Sequence, residues 1–74
     1  MGLLTDYEDA QSDKEAALAA IEVAKHKNAK QRAWNWANAA VRHATAAGVP
    51  NAPDLVEHGR YPGLDALEAA VRAL

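Results

Sequence analysis

Residues 28–48 read NAKQRAWNWANAAVRHATAAG, and the fold turns on how this stretch is arranged. At 100° per residue it forms a helix in which Ala33, Ala37, Ala40, Ala44 and Ala47 line one narrow stripe. Trp34 and Val41 lie along one margin of that stripe and Trp36 along the other. Methyl groups let another backbone approach closely, while the two indoles supply most of the large apolar surface nearby. A helix of this kind is built to have something lie against it. Gly48 supplies the residue that ends it, and Pro50 prevents its continuation.

Upstream, Thr5 with Glu8 and Ser12 with Glu15 each fit a capping box. Ala17, Leu18, Ile21 and Ala24 share an apolar face, which Ala10, Tyr7 and Leu3 extend backwards past Lys14. The expectation is a helix over residues 5–26, with a possible break near Ser12 and a hinge at Asn28, where one continuous helix is the alternative. Downstream, residues 49–63 hold all three prolines and two of the four glycines, yet Leu55, Val56 and Tyr61 are too apolar for a free linker. Asn51 is expected to cap a short helix over residues 52–58 that Gly59 closes. Leu64, Leu67, Val71 and Leu74 then form the seam of a last helix. Asp65 and Glu68 near its start and Arg72 near its end match the helix dipole. The sequence therefore predicts a single all-α domain over residues 1–74, a small bundle of three main helices plus a short connector helix.

Size limits what such a domain can bury. A chain of 74 residues encloses roughly 60% of its unfolded surface. Alanine dominates the apolar half of this composition and Phe is absent, so the core is expected either to pack its helices tightly or to be completed by a second chain. There is no cysteine, which removes disulfides and thiolate metal sites. No apolar run reaches the ~18 residues of a membrane span. The acidic start MGLLTDYED lacks the pattern of a secretory signal, and Asp6 stands where a myristoylation motif has Ser or Thr. The expected location is cytoplasmic, without a membrane partner.

Charge is segregated along the chain. Residues 1–24 carry six acids against Lys14 alone, whereas residues 25–43 carry Lys25, Lys27, Lys30, Arg32 and Arg42 and no acid. Such a division points to an acidic and a basic helix lying side by side.

Signals for chemistry are sparse. His26 follows Glu22 by one helical turn, but two ligands do not make a metal site, and His43 and His58 read as exposed or capping residues. The one serine reads as a cap, and no glycine-rich phosphate loop occurs. Neither an enzyme nor a cofactor is expected. Two binding functions remain. Trp34 and Trp36 project about 160° apart on a helix, so both cannot point into one small core. An interaction or assembly module is therefore expected, docking or self-associating through Trp34, Trp36, Ala33, Ala37, Ala40, Val41, Arg32 and His43. The alternative is a small helix-turn-helix-like DNA-binding regulator, with Lys25, Lys27, Lys30 and Arg32 on phosphates and Asn35 or Asn38 reading bases. The alanine-rich composition suits a protein of a high-GC bacterium or one of its phages, such as an accessory or structural subunit.

Overall fold

In the computed structural model, the backbone is described for residues 2–74 and the side chains for residues 12–74. Three α-helices and one 3₁₀ turn follow in order: α1 (Gly2–Lys25), α2 (Lys30–Ala47), the 3₁₀ turn (Ala52–Leu55) and α3 (Asp65–Arg72). The all-α expectation holds.

α1 and α2 form an antiparallel hairpin joined by residues 26–29, and their mutual packing is the largest contact in the chain. Ala17, Ala20, Ile21 and Ala24 of α1 meet Ala37, Ala40 and Ala44 of α2 in one buried cluster. Small side chains on both faces allow the two helix axes to approach closely. α3 closes the bundle with Leu64, Leu67 and Val71, and Val49, Ala52 and Val56 seal the connection between α2 and α3. Among the described residues, Ile21, Leu67 and Val71 are the largest side chains wholly removed from solvent. This core is made mainly of methyl groups.

Several boundaries differ from those the sequence suggested. α1 is continuous through Ser12, which is exposed inside the helix and caps nothing. The helix also begins before Thr5, so Thr5 is not its cap; the side chains of the Thr5–Glu8 pair and of Leu3, Tyr7 and Ala10 lie outside the described residues. The break between α1 and α2 is real, but the residue flanking α2 is Ala29, which has no side chain to cap with. Asn28 contributes its carbonyl instead, accepting the Tyr61 hydroxyl at 2.8 Å.

The end of α2 matches its sequence signal. Gly48 adopts φ 109°, its N–H bonds to the Thr45 carbonyl at 3.1 Å, and the Val49 N–H bonds to the Ala44 carbonyl at 2.9 Å. This paired closure satisfies two carbonyls left open by the last turn, and Val49 is buried beside it. The connector is shorter than expected. Its 3₁₀ turn stops at Leu55, Val56 is extended, and Glu57 and Gly63 exchange two backbone hydrogen bonds of 2.9 Å. A Cβ on Gly63 would lie 2.8 Å from that of Glu57, so only glycine fits there. Gly59 closes no helix. Leu74, placed in the apolar seam by spacing, lies past the end of α3 and is 47% exposed.

Candidate functional site

The α1/α2 hairpin has two long flanks, and the remainder of the chain covers only one. On the covered flank, Leu18 of α1 and Trp34 and Val41 of α2 pack against the core that α3 completes. Trp34 stacks on His58 of the connector, with ring centroids 5.2 Å apart and planes 15° from parallel. The Lys25 ammonium donates to Glu68 Oε1 at 2.7 Å and lies 3.5 Å from Asp65, while Lys14 donates to the Leu74 main-chain oxygen at 3.0 Å. Arg72 pairs with the other Glu68 oxygen at 3.1 Å. The hydrogen bond to Glu68 raises the Lys25 ammonium above its ordinary range, and the Glu68 and Asp65 charges reinforce that direction. Hydrogen bonds from Lys25 and Arg72 hold the Glu68 carboxyl below its own range.

The opposite flank is lined by Asp13, Ala16, Ala20, Val23 and Lys27 along α1 and the loop, and by Arg32, Trp36, Ala39, His43 and Ala47 along α2. Helical register puts those within α1 and α2 on the side away from Lys25, Leu18, Trp34 and Val41, and Lys27 follows in the turn just past α1. Asp13 and His43 tie the two helices together here through a 3.0 Å hydrogen bond. Ala20 is buried, Ala16, Val23, Ala39 and Ala47 are partly covered, and Trp36 remains 41% exposed. Among the described residues, no segment packs over this flank. Its middle is apolar and its two ends are charged.

The structure thus sorts the residues singled out by sequence into three groups. Ala33, Ala37 and Ala40 are fully enclosed, so a docking surface that includes them is corrected: the alanine stripe is the inside of the hairpin. Helix α1 is what lies against it. Trp34 and Val41 are partly buried against the core, and Trp34 also against His58 of the connector. Trp36, Arg32 and His43 share the uncovered flank. Trp36 is the one whose exposure the divergence of the indoles foretold.

Asp13, Ala16, Val23 and Ala39 belong to the same surface and were missed. The signal was present in the seven-residue spacing of Ala16 and Val23, which marks a second apolar edge on α1. The neighbouring Leu18 and Ile21 outweighed it.

The basic stretch is dispersed. Lys25 is engaged with α3, whereas Lys27 and Arg32 fall on the uncovered flank, and Lys30 is exposed at the start of α2. The two helices run antiparallel, whereas a helix-turn-helix crosses its helices at about 90–120°. The helix-turn-helix geometry considered from sequence is therefore not the one adopted. Glu22 and His26 meet at 2.9 Å on an exposed face, and among the described residues no group of three or more potential ligands is assembled for a metal ion. Among the described residues, no helix is long and apolar enough to cross a membrane.

Comparison with protein-family models, with curated proteins and with solved structures finds no match.

Proposed function

We propose that the chain is a non-enzymatic interaction or assembly module whose working surface is the uncovered flank of the α1/α2 hairpin, with Trp36 as its anchor. One observation carries this: a tryptophan stands 41% exposed in the middle of an apolar helix face that no described segment covers. Indoles in such positions are frequent binding hot spots, since burying one removes a large apolar area from water at little cost in rotamer freedom. The methyl-filled core supports the same reading. Among the described residues, large apolar side chains available to stabilise the fold are few, and this one is spent on the surface. Of the basic residues considered for phosphate contacts, Lys25 is engaged in pairing α1 to α3.

The test is the ¹H–¹⁵N spectrum of labelled protein with and without an extract of the cells that make it, beside Trp36→Ala. Resonances of Ala16, Val23, Trp36 and Ala39 should shift or broaden in the wild type and remain in place in the variant. A spectrum that stays unchanged in the extract and at every protein concentration refutes the proposal. So does a change confined to the other flank.

A further inference from the structure

We infer that the occupant of the uncovered flank is a second copy of this chain, laid across it antiparallel about a two-fold axis to form a four-helix bundle. The inference rests on the interaction reading above and names its partner. Its warrant is the charge distribution along the flank. Lys27 and Arg32 sit at the hairpin's turn, Asp13 lies toward the far end of the paired helices, and Ala16, Ala20, Val23, Trp36 and Ala39 lie between.

A two-fold axis crossing the helices at the level of Ala20 and Trp36 sets α1 against α1 and α2 against α2. Asp13 lies seven residues to one side of Ala20, about 10 Å along α1, and Lys27 lies seven residues to the other side, in the turn that follows α1, where its N–H bonds back to the Ala24 carbonyl at 3.3 Å. The axis therefore brings Lys27 of each copy to the level of Asp13 of the other, twice, and sets the two Trp36 rings together at the centre. Sequence adds Asp9 one helical turn before Asp13. With both turns at the same end, α1 of one copy would lie against α2 of the other and Lys27 would face the other copy's Arg32, so like charges disfavour the parallel arrangement. An isologous contact of this kind is closed and stops at two copies. The added layer also gives the apolar edge of α1, at Ala16 and Val23, something to pack against.

Sedimentation equilibrium on the purified chain, from low micromolar to millimolar concentration, tests this with five variants. The wild type should be a dimer at the upper end. Trp36→Ala should weaken the dimer, and Lys27→Glu and Asp13→Lys should each raise its Kd about tenfold or more, because two symmetry-related attractions become repulsions. Lys27→Glu combined with Asp13→Lys should recover most of the loss. In a parallel pair Lys27→Glu would instead relieve a like-charge contact and tighten the dimer. Circular dichroism reports whether each variant is folded. Ala39→Glu, which leaves the Asp13–His43 contact intact, must also dissociate the dimer, and provides the test if Asp13→Lys disturbs the hairpin.

A wild type that stays monomeric throughout overturns the second-copy inference, while the cell-extract spectra still decide whether this flank binds another protein. A dimer weakened by Trp36→Ala but indifferent to both charge reversals overturns the antiparallel arrangement alone. A dimer indifferent to Trp36→Ala and Ala39→Glu places the contact elsewhere and overturns the inference.

Discussion

Replacing Ala37 by leucine asks whether the alanine stripe is a helix–helix contact or a surface held ready for a partner. Ala37 has no exposed area, and it belongs to the cluster that includes Ala17, Ala20 and Ala24 of α1. Leucine adds three carbons to a contact whose helices are held close by methyl groups. With room available, those carbons would stabilise the fold by roughly 0.8 kcal/mol each. Without it, the helices must separate or the side chain must leave its rotamer, at about 1–3 kcal/mol. Close approach of α1 and α2 selects the second outcome, a loss of about 2 kcal/mol. At roughly 0.05–0.15 kcal/mol per residue the whole domain holds on the order of 4–11 kcal/mol, so the loss is a large share. Tm should fall by about 8–16 °C for a chain of this size.

The assay is thermal unfolding followed by circular dichroism at 222 nm, at two protein concentrations tenfold apart, so that dissociation and unfolding can be separated. Ala46→Leu, exposed on the same helix, is the control and should stay within about 0.5 kcal/mol of wild type. An unchanged or higher Tm for Ala37→Leu would refute the close-packed contact. It would mean either a void beside Ala37 or a stripe that does not face α1.

Three further outcomes follow from local geometry. Gly48→Ala meets no neighbouring atom, so its cost is purely that of a side chain at φ 109°, about 1–2 kcal/mol, read as a Tm lower by roughly 4–16 °C. Gly63→Ala drives a methyl against the Glu57 side chain and should open the Glu57–Gly63 bridge, seen as faster amide hydrogen exchange at both residues while α1 and α2 keep their protection. The carboxyl of Glu68 is held below its ordinary value by Lys25 and Arg72, so its contribution is present above the usual carboxylate range and disappears as pH falls through its lowered value. Glu68→Gln should therefore melt slightly below wild type at pH 7. The gap should close in acid and shrink in high salt, because the pair is open to solvent; a gap that persists at pH 2 contradicts the ion-pair assignment.

Local signals were legible where a single backbone requirement decides the residue. The Gly48 stop is one, since few residues other than glycine tolerate the left-handed end of a helix and Pro50 bars its continuation. The apolar period of residues 64–71 is another, and the divergence of Trp34 and Trp36 follows from helix geometry alone. The all-α class rested on these features. Spacing could not say what the alanine stripe faces, because a row of methyls is equally suited to α1 or to a foreign helix. That was decided when residues 26–29 reversed the chain and laid α1 along it. The same reversal split the basic run, sending Lys25 to Glu68 and leaving Lys27 and Arg32 on the other flank. Nor could local propensity foresee that the connector's helix would end at Leu55. The Glu57–Gly63 bridge and the Trp34–His58 stack hold that segment, and the second joins residues whose proximity exists only after the connector has folded back on α2. Sequence thus determined which residues must be helical, which must stop a helix and that the two indoles could not both be enclosed; tertiary packing alone decided which indole and which flank would be left bare, because one short third helix can cover only one side of a two-helix layer.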